Sequence, residues 1–245
     1  MSLIVGRHPV LEALKSGKSI EKIFVLFGCK GGSLGEILKF AHDKHVKVVE
    51  INKQKFQEIT KDLPAQGIAA FISDRKYFEI EDIISEAENK NQKPFILIFD
   101  NIQDPHNAGA LIRTAECMGA HGIVVTKDNS ASLNSTAAKA SAGAIEHVKI
   151  CKVTNLARSI DAMKEKGIWI IGTSSRAEKT IDQIDVDLPL ALVLGREGEG
   201  MRRLTESKCD FLVKIPLYGK IDSLNVSVAG GILMNGIQNR RRKIF

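Results

Sequence analysis

From residue 95 onward the chain repeats short apolar runs: FILIF (95–99), GIVVT (122–126), VKICKV (148–153), IWIIG (168–172), LALVLG (190–195) and FLVKIP (211–216). They are too short for helices and apolar at successive positions, which predicts strands buried on both faces. Helical patterns separate most of them, so the expectation is an α/β fold whose parallel sheet is covered by helices on both sides. One such helix opens in "DNIQDPHNAGALIRTAE" (100–116), where Asp104 and Pro105 form a good helix-opening pair and Asn107 can also cap. The last helix is expected from a cap at Asp222 or Ser223, with Leu224, Val228, Ile232, Leu233 and Ile237 at helical spacing. Gly230 and Gly231 weaken that helix by ~1 kcal/mol each relative to alanine, a cost explained by close packing against another helix or subunit.

Residues 1–76 read as a separate, smaller α/β unit. Helices are expected over 9–15 and 33–44, the second with Leu34, Ile37, Leu38 and Ala41 on one face. Strands are expected over 22–27, 47–51 and 67–72. The stretch "YFEIEDIISEAENKNQKP" (77–94) is acidic, then polar, and closes on proline. It predicts a short helix followed by a linker, dividing the chain into 1–76, a linker 77–93 and a second domain 94–245.

Composition excludes more than it selects. With 245 residues, 44% hydrophobic and 26% charged, the chain has the make-up of a soluble globular protein. No apolar run approaches the ~20 residues of a membrane span, and only Leu3-Ile4-Val5 precedes Gly6 and Arg7, so neither membrane nor secretion is expected. Cys29, Cys117, Cys151 and Cys209 are scattered without a C-x-x-C pair. Reduced cytoplasmic thiols and no metal site are the expectation. The net charge of +6 is uneven: +5 in residues 1–76, −3 in 77–93, zero in 94–238 and +4 in the tail NRRRKIF (239–245). That distribution suits a polyanionic partner. Arg240, Arg241, Arg242 and Lys243 become candidate phosphate contacts, or else a solvated helix end or dimer support.

Three patches carry chemistry. In the first, Arg113 is a cation without an obvious role, and an ion pair with Asp104 or Glu116 is the plainer one. In the second, "LVLGREGEGM" (192–201), Gly195, Gly198 and Gly200 make a sharp loop that a ligand could approach closely. Glu197 and Glu199 would repel phosphate unless a metal intervened, and no ligand cluster accompanies them. The loop therefore suits an uncharged or cationic ligand. In the third, "IPLYGKIDSLNVSVAGG" (215–231), Ser223 and Asn225 stand at the start of a helix, where side chains point toward a ligand.

The order of these patches, with "GRHPVLEAL", "AQGIAA" (65–70) and "VTNLAR" (153–158), is that of a known family. The chain resembles the SpoU/TrmH-type RNA ribose 2′-O-methyltransferases over its whole length, and within them the bacterial enzymes that act on a guanosine of 23S rRNA. The resemblance implies a SPOUT-type, Rossmann-like sheet with a deep C-terminal trefoil knot, which general topology rules would disfavour. It implies S-adenosylmethionine as cofactor, a homodimer, and a small ribosomal-protein-like N-terminal fold that binds RNA. By motif match the functional residues are Asn107, Arg113, Glu197, Ser223 and Asn225. Thr173, Gly195, Ile215 and Leu224 would hold the cofactor. Asn107 is expected to orient the guanidinium of Arg113. One position departs from the motif: Tyr218 stands where a smaller or flexible residue, often methionine, is usual.

Two other readings compete. A tRNA-directed enzyme or another rRNA ribose methyltransferase shares the chemistry. A non-catalytic RNA-binding or ribosome-assembly factor shares the partner, but all five polar positions are present. A nucleotide-binding oxidoreductase fails because no G-x-G-x-x-G follows any strand.

Overall fold

Apolar runs at both sides of a sheet need helices on both sides, and the chain provides them. The computed structural model describes residues 2–16, 19–44, 46–61, 63–73, 76–128, 130–131 and 133–242, so Lys243 lies outside the described residues. The chain forms two compact units, Met1–Lys76 and Tyr77–Phe245.

The first unit holds β1 (Ser2–Val5), α1 (Arg7–Lys15), β2 (Ser19–Leu26), α2 (Leu34–Asp43), β3 (Val48–Ile51), α3 (Lys53–Thr60) and β4 (Ile68–Ser73). Its four-stranded sheet has the order β1-β4-β2-β3. β2 and β3 run parallel, while β4 is antiparallel to both β1 and β2. Alternation along β2 sends Ile23 and Val25 to the layer of α1 and α2, and Phe24 to the layer of Phe56 on α3. Sequence periodicity gives no sign of β1 or α3. Both are short, and α3 buries only Phe56 and Thr60.

In the second unit the stretch expected to be a helix and linker is structural. Its helix, α4 (Ile80–Asn89), buries Ile80, Ile83 and Ala87. Phe78 bridges to Cys151 at the sheet edge. The six expected strands all form: β5 (Phe95–Phe99), β6 (Gly122–Thr126), β7 (Lys149–Val153), β8 (Trp169–Thr173), β10 (Leu190–Leu194) and β11 (Phe211–Lys214). A two-residue strand, β9 (Lys179–Thr180), completes a seven-stranded sheet of order β7-β6-β5-β10-β8-β11-β9. Every pairing in it is parallel.

The helices are α5 (Pro105–Cys117), α6 (Ser135–Ala140), α7 (Leu156–Glu165), α8 (Arg203–Glu206) and α9 (Val226–Arg242). Along β5, Phe95, Leu97 and Phe99 join the layer of α5 and α9, whereas Ile96 and Ile98 join that of α4 and α7. From β5 the chain builds outward through β6 and β7, then crosses to β8 and returns to insert β10 between β5 and β8. The strand order thus reverses at β5 and β10. Crevices at the carboxyl ends of strands beside such a reversal are where open α/β sheets bind ligands.

α9 starts later than the apolar spacing suggests. Its first helical residue is Val226, and neither Asp222 nor Ser223 caps it. Asn225 does, accepting from the Ser227 N–H at 2.9 Å. The buried stripe is accordingly Val226, Leu233, Met234 and Ile237, while Val228 and Ile232 stay half-exposed. Gly230 answers a packing need within the chain, because a Cβ there would lie 2.4 Å from Leu111 of α5.

Candidate active site

Residues at the carboxyl ends of the central strands determine how this end of the sheet is built. Asp100 follows β5, and its N–H donates to the Leu194 carbonyl at 2.9 Å, extending the ladder to β10. Its carboxylate is fully buried (0% exposed) and accepts from the Arg202 Nε at 2.6 Å and the Arg202 N–H at 2.8 Å. This pair anchors the far end of the glycine-rich loop to β5. Between its anchors the loop folds onto itself: Arg196 and Gly200 exchange N–H···O bonds of 2.9 and 2.8 Å. Gly195 is explained by that closure, since a Cβ there would lie 2.3 Å from the Gly200 carbonyl carbon and the Met201 nitrogen. Gly198 and Gly200 have φ of 78° and 74°, the left-handed region that favours glycine.

α5 opens as its sequence dictates. Asp104 accepts from the His106 and Asn107 N–H groups at 3.2 Å each, and Pro105 fills a first-turn position that needs no donor. Gly109 is a contact glycine rather than a nucleotide loop, because a Cβ would meet the Ala137 carbonyl at 2.5 Å and the Ala140 Cβ at 2.6 Å.

Three of the five candidate functional side chains are joined. The Asn225 amide donates to Asn107 Oδ1 at 3.0 Å, and the Asn107 amide donates to Glu197 Oε2 at 3.2 Å. Asn225 Oδ1 meanwhile accepts from the Ser227 N–H at 2.9 Å and hydroxyl at 2.6 Å. One chain of bonds therefore ties the loop after β10, the first turn of α5 and the start of α9. Each amide has its donor and acceptor ends fixed by its neighbours, so the Glu197 carboxylate is held in place. Glu199 is neutralised by Arg196 at 2.9 Å, whereas Glu197 meets no cation among the described residues. The loop keeps one uncompensated negative charge.

Arg113 and Ser223 stand outside this chain of bonds. Both are exposed, and neither makes a hydrogen bond or ion pair among the described residues. The pairing of Arg113 with Asp104 or Glu116 does not form. Asn107 does not orient Arg113 either. Six residues separate them, about 9 Å along the helix axis and off one face, and the Asn107 amide is already committed.

The cofactor candidates fall in the same strand-end region. The Thr173 hydroxyl donates to the Val193 carbonyl at 3.1 Å, bridging the ends of β8 and β10. Ile215 and Leu224 are part-buried at the two ends of an irregular segment. Among the described residues, 215–224 makes no backbone–backbone hydrogen bond, so its N–H and C=O groups remain available. Tyr218 within it is 95% exposed.

Sequence reasoning missed Asp100, which opens the first quoted motif, and Arg202, which directly follows the second. A buried acid directly after an all-apolar strand was the available signal. Two of the four tail cations have protein partners instead of the proposed phosphates. The Arg241 guanidinium donates to the carbonyls of Val186 (2.9 Å), Leu188 (2.5 Å), Lys93 and Pro94 (3.3 Å each), and lies 5.4 Å from the Phe95 ring centre. Arg240 bonds the Asp182 carbonyl. Arg241 thus fastens the amino ends of β5 and β10, and its donors are spent on protein rather than on phosphates.

Comparison with known proteins agrees with this architecture. A model of the SpoU rRNA Methylase family matches residues 94–235, and a model described as RNA 2′-O ribose methyltransferase substrate binding matches 3–78. The YacO protein of Bacillus subtilis, assigned to the TrmH family of tRNA/rRNA methyltransferases, is 41% identical over 98% of this chain and 96% of its own. Among solved structures, the SpoU methyltransferase AviRb of Streptomyces viridochromogenes, in complex with AdoMet, superposes with a TM-score of 0.63. That match is 19% identical and covers 98% of this chain and 90% of the other. A TrmH/SpoU tRNA-modifying enzyme of A. aeolicus is 30% identical over 62% of this chain and 78% of its own, with a TM-score of 0.58.

Proposed function

The chain belongs to the SpoU/TrmH family of RNA methyltransferases, and from that premise we propose that it transfers a methyl group from S-adenosylmethionine to the 2′-hydroxyl of a guanosine ribose in 23S rRNA. The observation that carries this reading is the chain of bonds from Asn225 through Asn107 to Glu197, which fixes a carboxylate without a cation at the carboxyl ends of β5 and β10.

The residues present fit S-adenosylmethionine. When bound, it supplies an electrophilic methyl group on a positively charged sulfur. Glu197 favours a cation, and the unpaired backbone groups of 215–224, with Gly195 and Thr173 alongside, suit the polar edges of a nucleoside. Ser223 is free to meet the substrate. Arg113 holds an RNA phosphate through its planar fork and steadies the negative charge that grows on the ribose oxygen as its proton passes to solvent. Positioning does the rest, since the hydroxyl must align with the bond that breaks.

The first unit selects the RNA; its +5 charge and its match to a substrate-binding model support this. The same match favours rRNA over the simplest tRNA enzymes. The chain works as a homodimer in the cytoplasm, and the half-exposed Val228 and Ile232, one turn apart on α9, support a covered face. The segment from 195 to 225 is proposed to form the trefoil knot.

Mapping 2′-O-methyl groups in 23S rRNA and tRNA from cells with and without the gene tests the reading. One missing guanosine methyl in 23S rRNA is the expected result. A loss confined to tRNA would overturn the substrate, and no loss anywhere would overturn the activity.

A further inference from the structure

The motifs GRHPV and AQGIAA take no part in the site above, yet in the first unit they meet. Arg7 donates from Nε to the Gln66 carbonyl at 3.2 Å, and from its terminal nitrogens to the carbonyls of Gly31 at 2.5 Å and Lys30 at 3.2 Å. The same guanidinium lies 3.2 Å from the Cys29 sulfur. A Cβ at Gly67 would be 2.6 Å from that sulfur, so the turn at 66–67 presses directly on the loop 28–32. One side chain thus grips this loop by its carbonyl oxygens. Gly28, Gly31 and Gly32 within it have φ of 80°, 74° and 60°.

Phe27 stands between this fastened loop and the end of β2. Its N–H donates to the Ile51 carbonyl at 2.8 Å, so its backbone is held. Its ring is nevertheless 76% exposed, the most exposed large apolar side chain described in the unit. With Leu26, Glu50, Ile51, Asn52 and Lys53 it lines an open groove of about 400 Å³, a volume within the range of small-ligand sites. Lys30 and Lys53 are exposed and make no ion pair among the described residues. Folding gains nothing from an aromatic ring held out on a rigid backbone in a groove that an unpaired cation, Lys53, also lines. Glu50 disfavours a phosphate inside the groove itself, leaving a flat, uncharged group as its occupant.

We propose that Phe27 is a stacking platform for an unpaired RNA base, with Lys30 and Lys53 on the flanking phosphates and Arg7 as the positioning residue that holds the loop. The proposal rests on the reading that the first unit selects RNA. Every base offers a π-face, and stacking on an aromatic ring is a common way to bind unpaired RNA.

The test uses the full chain with a labelled single-stranded oligouridylate and an RNA duplex of equal length. Phe27→Ala and Phe27→Leu should weaken single-strand binding roughly five- to 100-fold, the range expected when one base–aromatic stack is removed. Phe27→Trp should retain it, with duplex binding and melting unchanged throughout. In Lys30→Gln/Lys53→Gln the log–log salt dependence of single-strand binding should fall by about 0.7 for each phosphate that is no longer neutralised. Wild-type affinity in Phe27→Leu would point to a plain apolar contact, such as a protein side chain, and overturn the platform. Wild-type affinity in Phe27→Ala, or an unchanged salt slope, would do the same. If the unsubstituted chain binds neither RNA, the reading of the first unit fails as well, so the two failures are distinguishable.

Discussion

Arg113 and Arg241 are the same residue in two opposite situations. Arg241, at the end of α9, spends its donors on four backbone carbonyls and lies over the Phe95 ring; burial pushes its pKa down. Arg113, on α5, is exposed and has no partner among the described residues. The amino ends of the strands are thus closed by a satisfied arginine, while the other arginine keeps all its donors free. An arginine with saturated donors serves the fold. One with free donors is available to a ligand.

This contrast is easiest to break through stability. Arg241→Ala should cost at least about 3 kcal/mol, since charged-group bonds contribute ~1.5–3 kcal/mol each and are not additive. A fall in Tm of roughly 6–12 °C is expected for a unit of this size. The salt dependence of RNA binding should not change, because these donors already face protein. A normal Tm with a reduced salt slope would return the tail to RNA binding.

His121 sharpens the picture of the same end of the sheet. Its Nδ1 accepts from the Phe95 N–H at 3.0 Å, and Nε2 lies 2.9 Å from Gln92 Oε1. Burial first, then Lys90 and Arg241, lower its pKa to about 4. The folded state therefore favours the neutral ring. Its contribution is complete above the unfolded value near 6.5 and declines as pH falls toward about 4. About 2 kcal/mol should disappear by pH 5, and His121→Gln should flatten that part of the Tm–pH profile. Parallel profiles would remove His121 from the account.

At the carboxyl ends, Arg202→Ala should cost about 2 kcal/mol, because Asp100 is buried and keeps only the backbone donor. Loosening of the loop should also weaken S-adenosylmethionine binding about ten-fold, readable by calorimetry. Unchanged affinity would mean that the loop needs no anchor.

Much of this is legible in the sequence, for a physical reason. FILIF and LALVLG are apolar on both faces, so they can only be central strands, and Asp104-Pro105 leaves little freedom in where α5 begins. Where sequence reading fails, the deciding facts are tertiary. Leu224 fits the helical spacing of α9, yet Asn225 caps it because its amide is held by Asn107. NRRRK looks like an RNA-binding tail until Arg241 is seen among the carbonyls of Val186, Leu188 and Pro94. The motif match picks out Asn107, Glu197 and Asn225, and these form one bonded chain. The acid after FILIF hints at Asp100, but that Arg202 is its partner, 102 residues on, leaves no mark in periodicity or charge.

The smallest stability effect belongs to Arg113. Arg113→Ala should stay within about 0.5 kcal/mol of wild type, as an exposed and unpartnered side chain should. Its effect is expected in chemistry instead. Single-turnover methyl transfer, with RNA and S-adenosylmethionine saturating, tests the central claim that this free arginine acts on the substrate. Arg113→Ala should transfer at least ~100-fold more slowly while binding the cofactor normally, and Arg113→Lys should recover little because a point charge cannot reproduce a bidentate grip. Transfer by Arg113→Ala at the wild-type rate would contradict the claim.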